Sequence, residues 1–396
     1  MKDRIPANDH GDADMASAPL PSDRAGHRRP AEANYGFTGD IIDLDACTAS
    51  IRRGSKSFHL ASLLLPRATR QAAHALYAFC RHSDDLIDDQ GRRPDALYRL
   101  RQRLDRIYNG VPCDHACDRA FGRIIRDHAI PKHIPLALLD GFAMDMVDRR
   151  YRTIAEVKQY AARVASTVGL MMSLVMRSGD AWTLARAADL GLAMQLTNIA
   201  RDVGEDARNG RLYLPLDWLR EAGVDAQAFL ARPIFTPALG QVVERLLAEA
   251  DRHYMLGHAG IARLPAGCRH AIRTAALTYQ DIGRSIARNG FDSITQRART
   301  TLPRKLALVL GAARPLALPV AIAAKAATAP PDPAVARLVT VAADAFAAAE
   351  SQRAALVRTG SRLDRVTAIL LDMQRRQKED RRTQRLQRWQ KVAGLG

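Results

Sequence analysis

The sequence predicts an all-α protein, and three observations lead to this prediction. Apolar residues recur at helical spacing in long segments such as ALLDGFAMDMVDRRY and QVVERLLAEADRHYMLGHAGIARL. The alternation of apolar and polar residues that is typical of strands is hard to find, and aromatic residues make up only 5% of the chain. The 396 residues are 47% hydrophobic, which is ample for a large core. We therefore expect helices packed on helices.

Three segments follow one another along the chain. Residues 1–38 are rich in Asp, Arg, Pro, Ala and Ser and have no apolar run, so we expect disorder there and no signal peptide. Residues 39–315 carry the helical periodicity and form the predicted main domain. Residues 316–396 are predicted to be a helical extension rich in Ala and Arg, in which TAPPDP at 328–333 interrupts the helical pattern.

Two acidic clusters, DDLIDD and RDVGED, lie far apart in the chain. Each places aspartates four residues apart, on one face of a helix: Asp84 with Asp88, and Asp202 with Asp206. Like charges at this spacing destabilise a helix by about 0.2–0.5 kcal/mol per pair. A single such pair is usually a solvated helix face, but two pairs in apolar surroundings indicate a bound cation. Aspartates are the expected ligands of Mg2+ that shares its shell with substrate phosphates.

An arginine lies beside each cluster and indicates that the second ligand is an anion. The planar guanidinium groups of Arg81 and Arg201 can bind phosphate oxygens, or they can form ion pairs with the neighbouring aspartates. Tyr77 lies one turn before Arg81, and Gln195 lies one turn before Asn198. Each helix therefore presents one continuous polar surface that leads into its aspartates.

These segments resemble the squalene and phytoene synthase family of head-to-head isoprenoid synthases, and within it the bacterial phytoene synthases. The resemblance covers roughly residues 40–315 and keeps the order of the family's motifs. It implies a single-domain isoprenoid synthase fold, a helical bundle around a central cavity, with residues 39–315 as the catalytic domain. The matching segments are SKSF from Ser55, YAFCRHSDDLIDD from Tyr77, GFAMDMVDRRY from Gly141, YAARVASTVGLMM from Tyr160, QLTNIARDVGEDARNGRLYLP from Gln195, and a stretch from Tyr279 through NGFDSITQRARTTLPRKL.

The resemblance also implies roles for individual residues. The catalytic set is Asp84, Asp88, Asp202, Asp206, Arg81 and Tyr77. The metal ligands are Asp84, Asp88, Asn198, Asp202 and Asp206, which would hold Mg2+, for which Mn2+ can substitute. The diphosphate-binding residues are Ser55, Lys56, Ser57, Tyr77, Arg81, Gln195, Asn198, Arg201 and Tyr279. The prenyl-chain pocket comprises Phe58, Ser62, Tyr160, Val164, Ala165 and Gly169.

Simpler roles remain open for two of these groups. Ser55 and Ser57 can cap a helix that begins near Phe58, which is compatible with phosphate contact at the same helix end. The small residues Ala165 and Gly169 can serve helix–helix packing instead of making room for a prenyl chain.

The reaction implied by the resemblance joins two geranylgeranyl diphosphates head to head. It proceeds through a cyclopropyl prephytoene diphosphate to phytoene, the first committed step of carotenoid biosynthesis, and no NADPH is expected. Ser62 lies one turn after Phe58, and its small side chain leaves room for a twenty-carbon chain. The alternative is a squalene, hydroxysqualene or dehydrosqualene synthase that acts on two farnesyl diphosphates.

The net charge of +17, from 59 basic and 42 acidic residues, indicates nucleic acid, an anionic membrane or anionic substrates as partners. We expect no nucleic-acid binding, because the acidic clusters would repel phosphate without a metal and no nucleic-acid module is recognisable. A non-catalytic prenyl-binding relative is disfavoured by the intact aspartates and arginines. The basic tail, residues 375–391, is predicted to contact an anionic membrane surface peripherally, the alternative being a solvated helix.

Two further features predict the location of the protein. No uncharged apolar stretch is long enough to cross a bilayer. The five cysteines are scattered and odd in number, which is typical of a reducing compartment. We therefore expect a cytoplasmic protein that associates with membranes only at their surface.

Overall fold

A computed structural model describes residues 37–89, 95–314 and 319–359. Within these residues the chain forms sixteen α-helices and one π-helical turn, and no strand, so the all-α prediction is confirmed. The helices are α1 (Phe37–Gly54), α2 (Lys56–Ser62), α3 (Arg67–Asp89), α4 (Ala96–Tyr108), α5 (Ala116–His128), α6 (His133–Met146), α7 (Ile154–Ala161), α8 (Thr167–Val175), α9 (Ala181–Arg208), α10 (Leu216–Glu221), α11 (Ala226–Ala231), α12 (Pro237–Ile261), α13 (Ala266–Arg288), α14 (Leu302–Ala312), α15 (Val320–Thr328) and α16 (Ala336–Thr359). The π turn, Ala162–Ser166, joins α7 to α8.

Helix α9 is the central element of the bundle. Its 28 residues span about 42 Å, and most of its side chains are buried. It packs against α12, α13, α8, α16 and the π turn. The side chain of Asp180 caps its first turn by accepting a hydrogen bond from the amide of Thr183. The helix ends before Gly210, which adopts a positive φ of 73° that glycine tolerates without strain.

A close contact between α9 and the π turn depends on glycine. A Cβ at Gly191 would lie 2.6 Å from the Cα of Ser166, a distance that side-chain atoms do not tolerate. Gly169 on α8 is similar, because a Cβ there would lie 2.6 Å from the carbonyl oxygen of Ala187. The small residues of this segment therefore bring α8 and α9 close together, which is the packing role left open by the sequence.

The described part of the predicted C-terminal extension packs onto the bundle. Val335, Val339 and Ala342 are buried in the same apolar core as α3, α5 and α6. Helix α16 contacts α9, α8 and α6, and α15 contacts α12. The structure therefore makes residues 319–359 part of the main fold. The predicted disordered segment, apart from its last two residues, and the basic tail at 375–391 lie outside the described residues.

None of the described helices combines the length and apolarity needed to cross a membrane.

Candidate active site

An apolar cavity of about 330 Å³ lies inside the bundle. Its walls come from α1, α2, α3, the π turn, α8, α9, α12 and α13, together with loop residues. Five of the six residues predicted for the prenyl-chain pocket line it, namely Phe58, Ser62, Val164, Ala165 and Gly169. Four residues predicted to bind diphosphate line it as well, namely Tyr77, Gln195, Asn198 and Tyr279. Gly169 thus both packs against α9 and borders the cavity.

Tyr160 differs from the other predicted pocket residues, because it is not among the residues that line the cavity. Its buried hydroxyl donates a hydrogen bond to Asp145 Oδ2 at 3.1 Å, and its ring stacks on Tyr213 with centroids 5.0 Å apart. Tyr213 also donates to Asp145, at 2.6 Å. Burial, followed by the nearby Asp145 carboxylate, raises the pKa of Tyr160 well above its usual value. Tyr160 therefore lies beside a carboxylate instead of forming the cavity wall.

The second acidic cluster occupies the C-terminal part of α9. Arg201 Nε lies 2.8 Å from Asp202 Oδ1, and Arg201 Nη2 lies 2.5 Å from Asp202 Oδ2. The ion pair between this guanidinium and this carboxylate is therefore bidentate. Arg297 Nε donates to Asp202 Oδ1 at 2.8 Å, and Arg297 also forms an ion pair with Glu205 at 2.9 Å. Two arginines thus converge on Asp202, which is the ion-pair role that the sequence left open for Arg201.

Two observations describe the oxygen atoms of this cluster. Burial, followed by repulsion from Asp202, raises the pKa of the Asp206 carboxyl from 3.8 to about 7, with Glu205 and Asp145 acting in the same direction and Arg211 against them. Asn198 Oδ1 is buried and has no hydrogen-bond partner among the described residues. The candidate ligand atoms here are the unpaired amide oxygen of Asn198 and the carboxylate oxygens of Asp202 and Asp206. All of them are oxygen atoms, which are the ligands that Mg2+ prefers.

The first acidic cluster lies on the last turns of α3. Arg81 forms ion pairs with Asp85 at 2.6 Å and with Asp84 at 3.5 Å, and all three side chains are partly exposed. Asp88 belongs to α3, but its side chain lies outside the described residues. Tyr77 lies one turn earlier and borders the cavity, so the polar face of α3 continues from the cavity to the carboxylates, as its spacing predicts.

Tyr279 on α13 links the two acidic helices. Its ring stacks on Phe58 with centroids 5.2 Å apart. Burial raises the pKa of Tyr279 to about 12, with Tyr77 and Asp202 adding to the rise and Arg201 opposing it. Tyr279 is thus close to Tyr77 on α3 and to Arg201 and Asp202 on α9, and Tyr77 is in turn close to Arg81 and Asp85. The two clusters therefore lie toward the same end of the cavity.

The predicted diphosphate residues before Phe58 lie at the start of α2. Ser55 caps the helix, because its Oγ accepts a hydrogen bond from the amide of Phe58 at 3.2 Å. Lys56 and Ser57 follow in the first turn. The preceding Gly54 lies against Tyr77, since a Cβ at this position would be 2.2 Å from the phenol oxygen. The capping role of Ser55 is therefore observed, and the first turn of α2 lies next to the polar face of α3.

Ser62 is buried in the cavity wall and is fully hydrogen-bonded. Its Oγ donates to the carbonyl oxygen of His59 at 2.7 Å and lies 2.9 Å from His74 Nε2. The other ring nitrogen of His74 lies 2.9 Å from Thr48 Oγ1. Burial lowers the pKa of His74 to about 4, so its imidazole is neutral at neutral pH. The space beside Ser62 is thus bordered by neutral groups.

Sequence reasoning missed several residues of the polar end. Asp145 accepts the hydroxyls of Tyr160 and Tyr213, and Arg297 binds Asp202. Asp145, Tyr213 and Arg297 all lie in segments that resemble the family, yet the sequence analysis assigned them no role. The missing signal is a contact between residues that are distant in sequence, which local spacing does not reveal.

A separate group of ligand-type side chains lies between α3 and α5. One ligand atom each of His82, His115 and Cys117 lies within 4.8 Å of the others. His115 Nδ1 caps α5 by accepting from the amide of Cys117, and it also lies 2.9 Å from the Cys117 sulfur. The His82 ring stacks on His115 with centroids 4.0 Å apart. Nitrogen and sulfur groups of this kind differ in chemistry from the oxygen ligands of the acidic clusters.

An all-helical bundle with two acidic clusters at one end of an apolar cavity defines an isoprenoid synthase. Residues 51–305 match the family described as squalene/phytoene synthase. The chain belongs to this family and is a prenyltransferase.

Several known proteins resemble the chain over most of their length. It is 48% identical over 314 residues to a phytoene synthase of Cereibacter sphaeroides, covering 76% of this chain and 88% of that protein. It is 41% identical over 271 residues to a 15-cis-phytoene synthase of a Paracoccus species, covering 66% and 88%. A solved structure of a dehydrosqualene synthase in complex with a ligand superposes with a TM-score of 0.64 at 29% identity, covering 70% of this chain and 97% of that one.

Proposed function

We propose that the protein joins two geranylgeranyl diphosphates head to head, through a cyclopropyl prephytoene diphosphate, to form phytoene, the first committed step of carotenoid biosynthesis. The observation that carries this proposal is an apolar cavity with both acidic clusters toward one end. A prenyl diphosphate has the same division into a long apolar chain and a charged head.

The charged head would be bound by cationic side chains at the acidic end. Arg81 and Arg201 lie there already, each oriented by an ion pair with a neighbouring aspartate. Their guanidinium groups can bind the oxygens of a diphosphate that arrives together with cations for the aspartates. The first turn of α2, with Ser55, Lys56 and Ser57, would contribute amide and side-chain donors.

The residues that would hold Mg2+, for which Mn2+ can substitute, are Asp84, Asp88, Asn198, Asp202 and Asp206. When bound, Mg2+ supplies charge neutralisation to the diphosphate leaving group, which lowers the barrier to C–O cleavage. The orphaned Asn198 oxygen and the raised pKa of Asp206 support this assignment.

The prenyl chains would lie in the cavity, where apolar walls exclude water from the allylic cation. The stacked rings of Phe58 and Tyr279 present π faces at the polar end, which can stabilise positive charge. Ser62 leaves space in the wall where an aromatic side chain would shorten the cavity. This supports a twenty-carbon substrate.

The alternative substrate is farnesyl diphosphate, as in a squalene, hydroxysqualene or dehydrosqualene synthase. It is less favoured, because the curated relatives at 40–48% identity carry the name phytoene synthase, whereas the dehydrosqualene synthase structure is 29% identical. The phytoene reaction consumes no reductant, so we propose no NADPH. We also propose a cytoplasmic location with peripheral membrane contact through the basic tail.

The test is to incubate the purified full-length protein with geranylgeranyl diphosphate and Mg2+ and to analyse the extracted hydrocarbon. We expect phytoene and two released diphosphates for each phytoene. EDTA should stop the reaction. Failure to release diphosphate from this substrate in the presence of Mg2+ or Mn2+ would overturn the proposal.

A further inference from the structure

A fully buried arginine borders the cavity far from the acidic clusters. Arg186 on α9 has a relative exposure of 0% and lines the cavity, as does Asn198 on the same helix. Twelve residues separate them, which corresponds to about 18 Å along the helix axis. Since Asn198 belongs to the acidic end, Arg186 lies at the opposite end of the cavity.

The stem of Arg186 is held tightly in place by α12. A Cβ at Gly260 would lie 2.4 Å from Arg186 Cβ and 3.2 Å from its Cγ, so only glycine lets the two helices approach at this point. Gly260 and Ile261 line the same end of the cavity. The methylene groups of Arg186 are therefore enclosed between α9, α12 and the cavity space.

The guanidinium group of Arg186 is bonded to the last turn of α15 and to the segment that follows it. We call residues 326–332 the C-terminal strap. Arg186 donates to the carbonyl oxygens of Ala326 at 2.9 Å and Pro330 at 3.3 Å, and its Nε lies 2.9 Å from Asp189 Oδ2. Trp182 on the same helix donates to Ala326 as well, at 3.0 Å. A buried charge needs such partners, and they prevent the side chain from moving out of the way.

The other end of the strap is anchored by charges. Asp332 accepts a hydrogen bond from Lys158 at 2.8 Å, and Lys158 also contacts Glu249 at 3.1 Å. His253 lies 2.8 Å from Asp189, which joins this group to Arg186. Burial alone would lower the pKa of His253, but its hydrogen bonds to Asp189 and Glu249 outweigh burial and raise it. The network thus connects α7, α9 and α12 to both ends of the strap.

We propose that Arg186, held by the C-terminal strap, is a specificity-determining residue that closes the far end of the cavity and limits the length of the prenyl chain. This inference rests on the proposed function, because it concerns the chain of the same substrate. A chain one isoprene unit longer than twenty carbons would have to displace a side chain that is fixed at both stem and head. The strap lies outside residues 51–305, which match the family, so an element of the C-terminal region sets this limit.

The test measures binding as a function of chain length. Unreactive thiolodiphosphates with fifteen-, twenty- and twenty-five-carbon chains are titrated calorimetrically into the full-length protein with Mg2+. For the wild type we expect the twenty-five-carbon ligand to bind on the order of tenfold more weakly than the twenty-carbon ligand. An additional apolar group that does not fit in a pocket lowers the affinity by about this factor.

The informative variant is the double substitution Arg186→Met with Asp189→Asn. It removes both charges of the buried ion pair at once and leaves an unbranched apolar side chain at position 186. In this variant the affinities for the twenty- and twenty-five-carbon ligands should lie within about twofold of each other, because the additional isoprene unit now fits in the cavity. Arg186→Lys, which keeps the charge but shortens the stem, should shift the ratio in the same direction by a smaller factor. If circular dichroism shows that the double variant does not fold, the ratio measured for Arg186→Lys is the test of the inference.

A matched control is Arg103→Met with Asp118→Asn. Here Arg103 contacts the fully buried Asp118 through two nitrogen atoms, at 3.0 and 2.5 Å, and its own side chain is 16% exposed; neither residue lines the cavity. It should lose stability and keep the wild-type preference for chain length. An unchanged ratio in folded Arg186 variants would overturn the inference while leaving the proposed function intact. A wild type that binds none of the three ligands would instead contradict the proposed function.

Discussion

Asp206 provides a quantitative test of the metal site, because its carboxyl group is raised in pKa from 3.8 to about 7 in the metal-free protein. The folded state then keeps a proton that the unfolded state releases between these two values, so the contribution of Asp206 to the free energy of unfolding falls as pH rises through this window. The full shift corresponds to about 4 kcal/mol at 1.36 kcal/mol for each pKa unit. Solvent at this incompletely buried side chain screens part of it, and we expect about 2 kcal/mol.

The perturbation is Asp206→Asn, in which the carboxyl group is replaced by an amide that does not ionise. At about pH 8 in EDTA, the variant should be more stable than the wild type by about 2 kcal/mol. Near pH 4, close to the unfolded-state pKa of 3.8, most of this difference should be gone. Urea unfolding followed by circular dichroism measures both values. Mg2+ should then stabilise the wild type more than the variant, because the ionised carboxylate is the ligand.

The control is Asp140→Asn, which removes a partly exposed aspartate on α6 that pairs with Arg101 at the surface. Its stability should follow the pH dependence of the wild type. A wild type and an Asp206→Asn variant with parallel stability–pH curves in EDTA would refute the reasoning about charge repulsion in the second acidic cluster.

Three further predictions concern turnover, chain length and the membrane. Asp84→Ala and Asp202→Ala should each lower kcat by about 10²-fold or more with the helical circular-dichroism spectrum unchanged, because each removes electrostatic stabilisation of the leaving group; substantial turnover at saturating Mg2+ would count against a shared metal site. Ser62→Phe should shift the ratio of kcat/KM toward the fifteen-carbon substrate by about tenfold, and an unchanged ratio would show that this wall position does not gauge length. Deleting residues 375–396 should weaken co-sedimentation with anionic liposomes, most visibly at low salt, without altering turnover on detergent-dispersed substrate; equal co-sedimentation of both proteins would refute membrane contact by the tail.

The parts of the site that the sequence predicts well are those set by helical spacing. Tyr77 and Arg81 share a face of α3, and Gln195 and Asn198 share a face of α9, because a helix repeats every 3.6 residues wherever it packs. The fold class and the family are confirmed for the same reason, since they rest on periodicity and on motifs that are contiguous in sequence.

The placement of Tyr160 shows where this local reasoning ends. Regular α-helical spacing puts Tyr160 and Val164 on one face, but Val164 belongs to the π turn at Ala162–Ser166, which changes the angle between successive side chains. Val164 lines the cavity, whereas Tyr160 turns to Asp145. A π turn leaves no clear pattern of residue types, so the sequence did not predict it.

Long-range contacts could not be predicted either. The sequence indicates an interruption at TAPPDP, yet nothing local shows that this segment binds Arg186, whose partner Pro330 is 144 residues away. The contact of Arg297 with Asp202 spans 95 residues. Such pairings follow from how the helices pack as a whole, and the structure is needed to find them.

The most direct test of the central claim is the product formed from an equimolar mixture of geranylgeranyl and farnesyl diphosphates with Mg2+ and no reductant. Both substrates compete for one cavity, so the composition of the hydrocarbon reports the preferred chain and the type of coupling together. We predict that phytoene, the forty-carbon head-to-head product, predominates. A predominant thirty-carbon product, or only hydrolysed prenyl alcohols, would contradict the account.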